Sequence, residues 1–196
     1  MIEDADDIEY GWRVLVVCTA NVSRSPIAEA LLRRHLRAAG LPAMVRSAGT
    51  QANGLAVDER MVEVGYGLGV DVSLHQPRRL TRELIADEGR DVIIGLAREH
   101  LREIVALDDA AWRRTFTLKE LVRRAESGRS SLRDDPDGWA SILGQERDLR
   151  QLLGEDPLDD VKDPYRRSIE IHREVAGQID DLCRRAVGGL FDVITV

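Results

Sequence analysis

Four short strand-like runs punctuate this chain, separated by sequence of helical period, and that alternation constrains the fold more than any other feature. The runs are RVLVVC (13–18), AMVRSAG (43–49), RDVIIGLA (90–97) and RRTFTL (113–118). The first and third are nearly continuous apolar, β-branched stretches, the pattern of strands buried on both faces. Between the runs, 25–40, 58–69, 98–107 and 119–126 read as helices. A last helix is expected from Pro164 to about Val187, with Ile171, Val175, Ile179, Leu182 and Ala186 on one face. Strands alternating with helices predict an α/β fold in three layers, a four-stranded parallel sheet between two layers of helix. Ligands of such folds bind outside the carboxyl ends of the strands. Cys18 stands at that end of the first strand.

Local chemistry refines these elements. In SPIAEALLRRHLRAAG (25–40), Ile27, Leu31 and His35 line one face with Ala28 and Leu32 beside them, and Glu29, Arg33, Arg34 and Arg37 are expected outside. Ser25 suits the cap, Pro26 the first helical position and Gly40 the exit. GYGLG (65–69) lacks the spacing of a nucleotide loop and reads as a helix exit. Residues 127–160 read poorly: SGRSSLRDDPDGW suggests loop, and WASILGQERDLRQLLG a helix with Trp139, Ile142, Leu149 and Leu153 inward. The expected organisation is an acidic extension over 1–12, one domain over 13–190 with an atypical segment at 127–160, and an apolar tail, 191–196. LFDVITV at the end suits an edge strand or an interface.

Composition narrows the function. Of 196 residues 43% are hydrophobic and 32% charged, with a net charge of −7. That is globular composition without the basic face a nucleic-acid binder needs. No apolar run approaches a membrane span, and no signal segment precedes the first strand. Cys18 and Cys183 cannot build a disulfide framework. The expectation is a cytoplasmic protein with reduced thiols, a monomer or weak dimer, free of nucleic acid and membrane. His100 and His172 have no partners at ligand spacing, so no metal is expected, and Cys183, beside Leu182, is expected in the core.

The stretch CTANVSRS (18–25) carries the chemistry. Wrapped from a strand end onto a helix start, the N–H groups of Thr19, Ala20, Asn21, Val22, Ser23 and Arg24 would converge on an anion, helped by the helix N-terminus. Arg24 offers a planar fork for two oxygens of a phosphoryl group. The same field favours the thiolate of Cys18, placing a nucleophile beneath the bound phosphorus.

VCTANVSRSPIAEALL, with SAGT (47–50), LHQPRRLT (74–81), LAREHLREI and VKDPY (161–165), resembles the low-molecular-weight protein tyrosine phosphatases over most of 13–187. The resemblance implies a flavodoxin-like α/β/α fold and a phosphomonoester hydrolase, most simply a protein tyrosine phosphatase, that needs no cofactor. It implies Cys18 as the nucleophile of a phosphocysteine intermediate, Arg24 as the phosphate clamp and Asp163 as general acid and base. Among Asp156, Asp159, Asp160 and Asp163, only the last precedes Pro-Tyr. Asn21 matches a residue that fixes the loop, Ser25 one that hydrogen-bonds the thiolate, and His75 one that supports Asn21. Three positions depart from the family pattern. Ser23 stands where many members carry a second Cys, Ala20 where Gly is common, and Asn53 where an aromatic often walls the cleft. Tyr165 could supply the other wall. The substrates implied are phosphotyrosine proteins or small aryl phosphates. An arsenate reductase on the same scaffold and a non-catalytic phosphate-binding module are the alternatives.

Overall fold

The computed structural model describes residues 12–86, 92–127, 147–149, 152, 154 and 156–191. Four parallel strands form one sheet: β1 (Trp12–Cys18), β2 (Ala43–Gly49), β3 (Val92–Gly95) and β4 (Thr115–Thr117), in the order β2-β1-β3-β4. Helices α1 (Arg24–Ala38), α2 (Glu59–Gly67), α3 (Arg82–Ala86), α4 (Arg98–Leu107), α5 (Leu118–Glu126) and α6 (Ile169–Phe191) connect and cover them. Short 3₁₀ turns occupy Asp109–Arg114 and Pro157–Asp159.

Alternation along β1 divides the core into its two faces, because successive side chains leave a strand on opposite sides. Val14, Val16 and Cys18 join the cluster under α1, α5 and α6, which includes Ile27, Leu31, Leu121 and Ile179. Leu15 and Val17 point the other way, into a smaller cluster with Ile85 of α3 and Ile104 of α4. The register pairs Cys18 with Gly49, so the central strand and its neighbour end together. Gly49 has to be glycine: a Cβ there would stand 2.7 Å from the carbonyl oxygen of Thr19 and 2.8 Å from the amide nitrogen of Asn21.

Several sequence expectations shift. β1 begins at Trp12, which is buried and so belongs to the sheet and not to an extension. α1 begins at Arg24, so Pro26 is its third residue. Ser25 is helical instead of capping, and no side chain caps this helix, because its hydroxyl is engaged with Cys18. Gly40 does take the left-handed exit, at φ +70°. Glu29, expected outside, is 5% exposed, since Ser47 and Arg33 satisfy its carboxylate. His35 meets Asp180 of α6 at 2.7 Å instead of simply packing. α6 starts at Ile169 and not at Pro164, because Arg166 takes a left-handed φ of +60° that no helix accommodates. It runs on through Leu190, whose side chain joins the core instead of forming a strand. Helix α3 was not anticipated. Leu149, expected inward, is 39% exposed, and Leu152 is the buried residue of that stretch. Trp139, Ile142 and Leu153, most of 127–160, residues 1–11 and the last five residues lie outside the described residues.

Candidate active site

The β1–α1 connection is a tight loop whose backbone polarity is sorted. The carbonyls of Cys18, Thr19 and Val22 accept from the N–H groups of Thr50, Gln51 and Asp58 at 3.0, 2.7 and 2.9 Å. The loop's acceptors are thereby taken up by the segment after β2, and the amide of Asn21 turns to Cys18 Sγ at 3.3 Å. Asn21 makes this possible by adopting φ +59°, a conformation asparagine tolerates better than most residues.

Asn21 is fully buried and all its side-chain hydrogen-bonding capacity is used. Its Nδ2 donates to Ser25 Oγ at 2.9 Å and Ser47 Oγ at 2.8 Å, and its Oδ1 accepts from Arg78 N at 2.9 Å and faces His75 Nε2 at 3.1 Å. Burial, foremost, holds His75 below its ordinary pKa against the pull of Glu29. A neutral ring carrying its proton on Nε2 then donates to Asn21 Oδ1. Ser47 Oγ in turn donates to Glu29 Oε2 at 2.5 Å.

Ser25 Oγ, having accepted from Asn21, stands 2.9 Å from Cys18 Sγ and 3.5 Å from the Ala48 carbonyl. Cys18 Sγ thus accepts from the backbone amide of Asn21 and shares a hydrogen bond with the Ser25 hydroxyl.

Arg24 is buried and held at both ends of its guanidinium. NH1 donates to the Val161 carbonyl at 3.2 Å, and NH2 to Thr19 Oγ1 at 3.1 Å and Asp163 Oδ2 at 2.9 Å. Thr19 Oγ1 in turn lies 3.3 Å from Glu99 Oε1 and 3.1 Å from His100 Nε2 at the start of α4. His100 is 1% exposed. Burial is the main cause that depresses its pKa, and its hydrogen bond to Glu99 is the main cause that brings that carboxyl down to about 2.

The segment bearing Asp163 is pinned before it reaches the cleft. Asp159 is fully buried and paired at 2.5 Å with both Arg98 and Arg123. Burial works against its charge, yet those hydrogen bonds keep its carboxyl below the usual range. Asp160 accepts from the Arg98 amide at 2.7 Å, Lys119 donates to the Asp160 carbonyl at 2.6 Å, and Val161 N–H bonds the Leu96 carbonyl at 2.8 Å. Asp163 then turns on its own segment, Oδ1 accepting from Tyr165 N at 3.1 Å.

Cys18, Arg24 and Asp163 converge on a cleft of about 330 Å³, which Asn53, Tyr165, Leu55 and Arg166 also line. The loop residues Thr19, Ala20, Val22 and Ser23 line it as well. Of the residues singled out from sequence, Asn21, Ser25 and His75 lie behind the loop and Asn53 and Tyr165 in its wall. Sequence reading missed Ser47, Glu29, Gly49, Glu99, His100 and Asp159. Glu99 and His100 left a usable trace, ionisable residues in the first helical turn after a central strand. Cys183 is fully buried in the core, as expected, and burial pushes its thiol well up. Among the described residues no group of three or more His, Cys, Asp or Glu is disposed to hold a metal, and no helix is long and apolar enough to cross a membrane.

A parallel sheet whose central strand delivers a cysteine into a Cys-x5-Arg loop at a helix start defines a cysteine-dependent phosphatase. The chain belongs to the low molecular weight phosphotyrosine protein phosphatase family, whose sequence model matches residues 13–153. It is 29% identical over 175 residues to a protein-arginine-phosphatase of Bacillus subtilis, covering 88% of this chain and 92% of that one. It is 37% identical over 109 residues to EpsP of Ralstonia solanacearum, a probable low molecular weight protein-tyrosine-phosphatase, covering 55% and 71%. Among solved structures, a YwlE mutant from B. subtilis superposes with a TM-score of 0.68 at 26% identity, covering 90% of this chain and 96% of that chain. A low molecular weight protein tyrosine phosphatase from T. tengcongensis gives 0.66 at 27%, covering 89% and 96%.

Proposed function

We propose that the chain hydrolyses aryl phosphomonoesters, above all phosphotyrosine in proteins, through a phosphocysteine on Cys18. The observation that carries this reading is the convergence of Cys18, Arg24 and Asp163 on one cleft. The Cys18 thiolate attacks phosphorus, the P–O bond to the aryl group breaks, and Asp163 gives its proton to the leaving oxygen. Water then attacks the phosphocysteine, Asp163 takes its proton, the P–S bond breaks, and phosphate leaves with the thiolate restored. Arg24 exchanges its bond to Asp163 for the equatorial phosphoryl oxygens, whose charge it stabilises with the loop amides. No step calls on a cofactor or a metal.

The wall supports an aryl leaving group. Tyr165 and Leu55 offer apolar surface beside the thiol, and Val22 lines the floor. A phosphoarginine substrate, as named for the Bacillus relative, would release a guanidinium against the Arg166 cation over Tyr165, an unfavourable like-charge approach. An arsenate reductase needs a resolving thiol, and the remaining cysteine is buried beneath α1. We further propose a cytoplasmic location and a monomer or weak dimer. The described core, Trp12 to Leu190, would act as one domain.

Hydrolysis of p-nitrophenyl phosphate in EDTA tests the chemistry, with Cys18→Ser and Asp163→Asn as variants. Turnover by Cys18→Ser would refute the mechanism, and an inactive wild type would refute the enzyme reading. Parallel phosphotyrosyl and phosphoarginyl peptides decide the substrate, and faster release from phosphoarginine would overturn the aryl preference.

A further inference from the structure

Besides Arg24 and Asp163, the charged side chain that lines the cleft among the described residues is Arg166. It sits three residues after Asp163 and lines the same cleft as Cys18. Its backbone takes φ +60°, a conformation that costs an L-residue with a long side chain and that is retained where the surroundings dictate it. Its guanidinium carbon lies 5.3 Å from the centroid of the Tyr165 ring. The ring gives the cation a fixed seat at the edge of the wall against which an aryl group would pack.

That seat leaves the charge unsatisfied. Among the described residues no carboxylate pairs with Arg166, although carboxylates are plentiful in a chain of net charge −7. Several other carboxylates are engaged elsewhere. Asp163 is shared between Arg24 and Tyr165 N, Asp58 faces His172, and Glu63 pairs with Arg173. Arg24 and Arg98, by contrast, each have a carboxylate and a carbonyl as partners. A planar donor fork held on an aromatic edge, exposed and unpaired, is suited to a carboxylate arriving with the substrate.

Resting on the aryl-phosphate reading above, we propose that Arg166 is a specificity residue that binds an acidic side chain next to the phosphorylated tyrosine. The substrate class is then an acidic phosphotyrosyl segment. The phosphoryl group enters the Cys18 loop, the ring lies along Tyr165, and the flanking Asp or Glu pairs with Arg166 at the rim. A single solvent-exposed pair is modest, so the discrimination is about threefold to fivefold at low salt and shrinks as salt is added.

The test compares kcat/KM on phosphotyrosyl peptides that carry Glu, Gln or Lys immediately before or after the phosphotyrosine. The wild type should favour Glu over Gln over Lys on at least one side. Arg166→Gln should bring the Glu-to-Gln ratio toward one, Arg166→Lys should keep part of it, and Arg166→Glu should invert the order to favour Lys. Because ratios within each variant are read, a general loss of activity does not mimic the effect. Equal rates on all peptides by the wild type would overturn the proposal, as would a preference that survives Arg166→Glu. Both outcomes leave the phosphatase reading intact. Failure to hydrolyse any of the peptides would overturn the aryl-phosphate reading and this inference with it.

Discussion

Arg24 and Asp163 are held 2.9 Å apart across 139 residues of sequence, joining the Cys18–Arg24 loop to the segment that carries the proposed general acid. In this arrangement the guanidinium that would clamp phosphate is partly spent on the carboxylate that would protonate the leaving group. A phosphoryl dianion must win Arg24 away from that carboxylate. Asp163→Asn removes the competing carboxylate and the proton donor together. Its kcat on p-nitrophenyl phosphate should fall by roughly 10² to 10⁴, while inorganic phosphate binds at least as tightly as to the wild type. Weaker phosphate binding by the variant would show that Asp163 supports the cradle instead of competing with it.

Gly49 tests whether the loop is built against the sheet. A methyl group there meets the backbone of Thr19, Ala20 and Asn21 at 2.7–2.8 Å, and backbone cannot rotate away as a side chain can. Gly49→Ala should cost about 1–3 kcal/mol in urea unfolding, the usual range for overpacking. It should lower kcat/KM more than tenfold as the loop amides shift. Unchanged kinetics would mean that the loop tolerates displacement.

Most of the frame was legible because β-branched runs and helical period are local signals. AMVRSAG and REHLREIVAL give elements whose ends match β2 and α4 residue for residue. Two of the misreadings share a physical cause: a polar side chain finds partners that hydrophobic period does not register. Periodicity puts Glu29 outside, but Ser47 and Arg33 satisfy it within the fold. Ser25 has the chemistry of a cap, yet the thiol seven residues earlier claims its hydroxyl. Cys18, Arg24 and Asp163 were found because a motif and a resemblance mark them, whereas Asp159 and His100 carry no such mark. The left-handed turn at Arg166, which delays α6 by five residues, is likewise invisible to hydrophobic pattern.

Asp159 should prove to be the anchor of the acid segment. Its buried carboxylate holds Arg98 and Arg123, and Asn in its place would remove that charge from both arginines. Breaking a buried pair costs about 3–5 kcal/mol, and the exposure of Arg123 puts this case at the low end. In Asp159→Asn the unfolding midpoint should drop accordingly. At a temperature where the variant stays folded, kcat should fall while KM for phosphate esters changes little. A drop in stability with kcat intact would confine Asp159 to packing.

Acid should weaken the fold through its buried imidazoles. His100 and His75 both have pKa values depressed by burial below the ordinary 6.5. Around His100, Glu99 and Asp160 favour the charged ring, but burial and Arg24 oppose it more strongly. As pH falls through about 6.5 the unfolded chain takes up protons that the folded one refuses, so stability declines from there toward the folded pKa values. Urea midpoints should be lower at pH 5 than at pH 7.5. His100→Gln, which cannot titrate, should narrow that difference. A midpoint gap unchanged in the variant would show that His100 takes up its proton equally readily in the folded and the unfolded chain.

Ser23 leaves Cys18 without a guardian thiol. The only other sulfur among the described cysteines, Cys183, is buried on α6, 4.0 Å from the Ala28 carbonyl, and its thiol is held protonated by burial. Neither position nor protonation lets it attack an oxidised Cys18. Under prolonged hydrogen peroxide the wild type should pass beyond the sulfenic stage and resist recovery by dithiothreitol. Ser23→Cys restores a thiol five residues from the nucleophile, on the loop that lines the same cleft. In that variant the introduced thiol should form a disulfide with Cys18, visible as a loss of about two mass units, and activity should mostly return on reduction. Full recovery of the wild type after the same exposure would mean that the loop itself shields the sulfur from further oxidation.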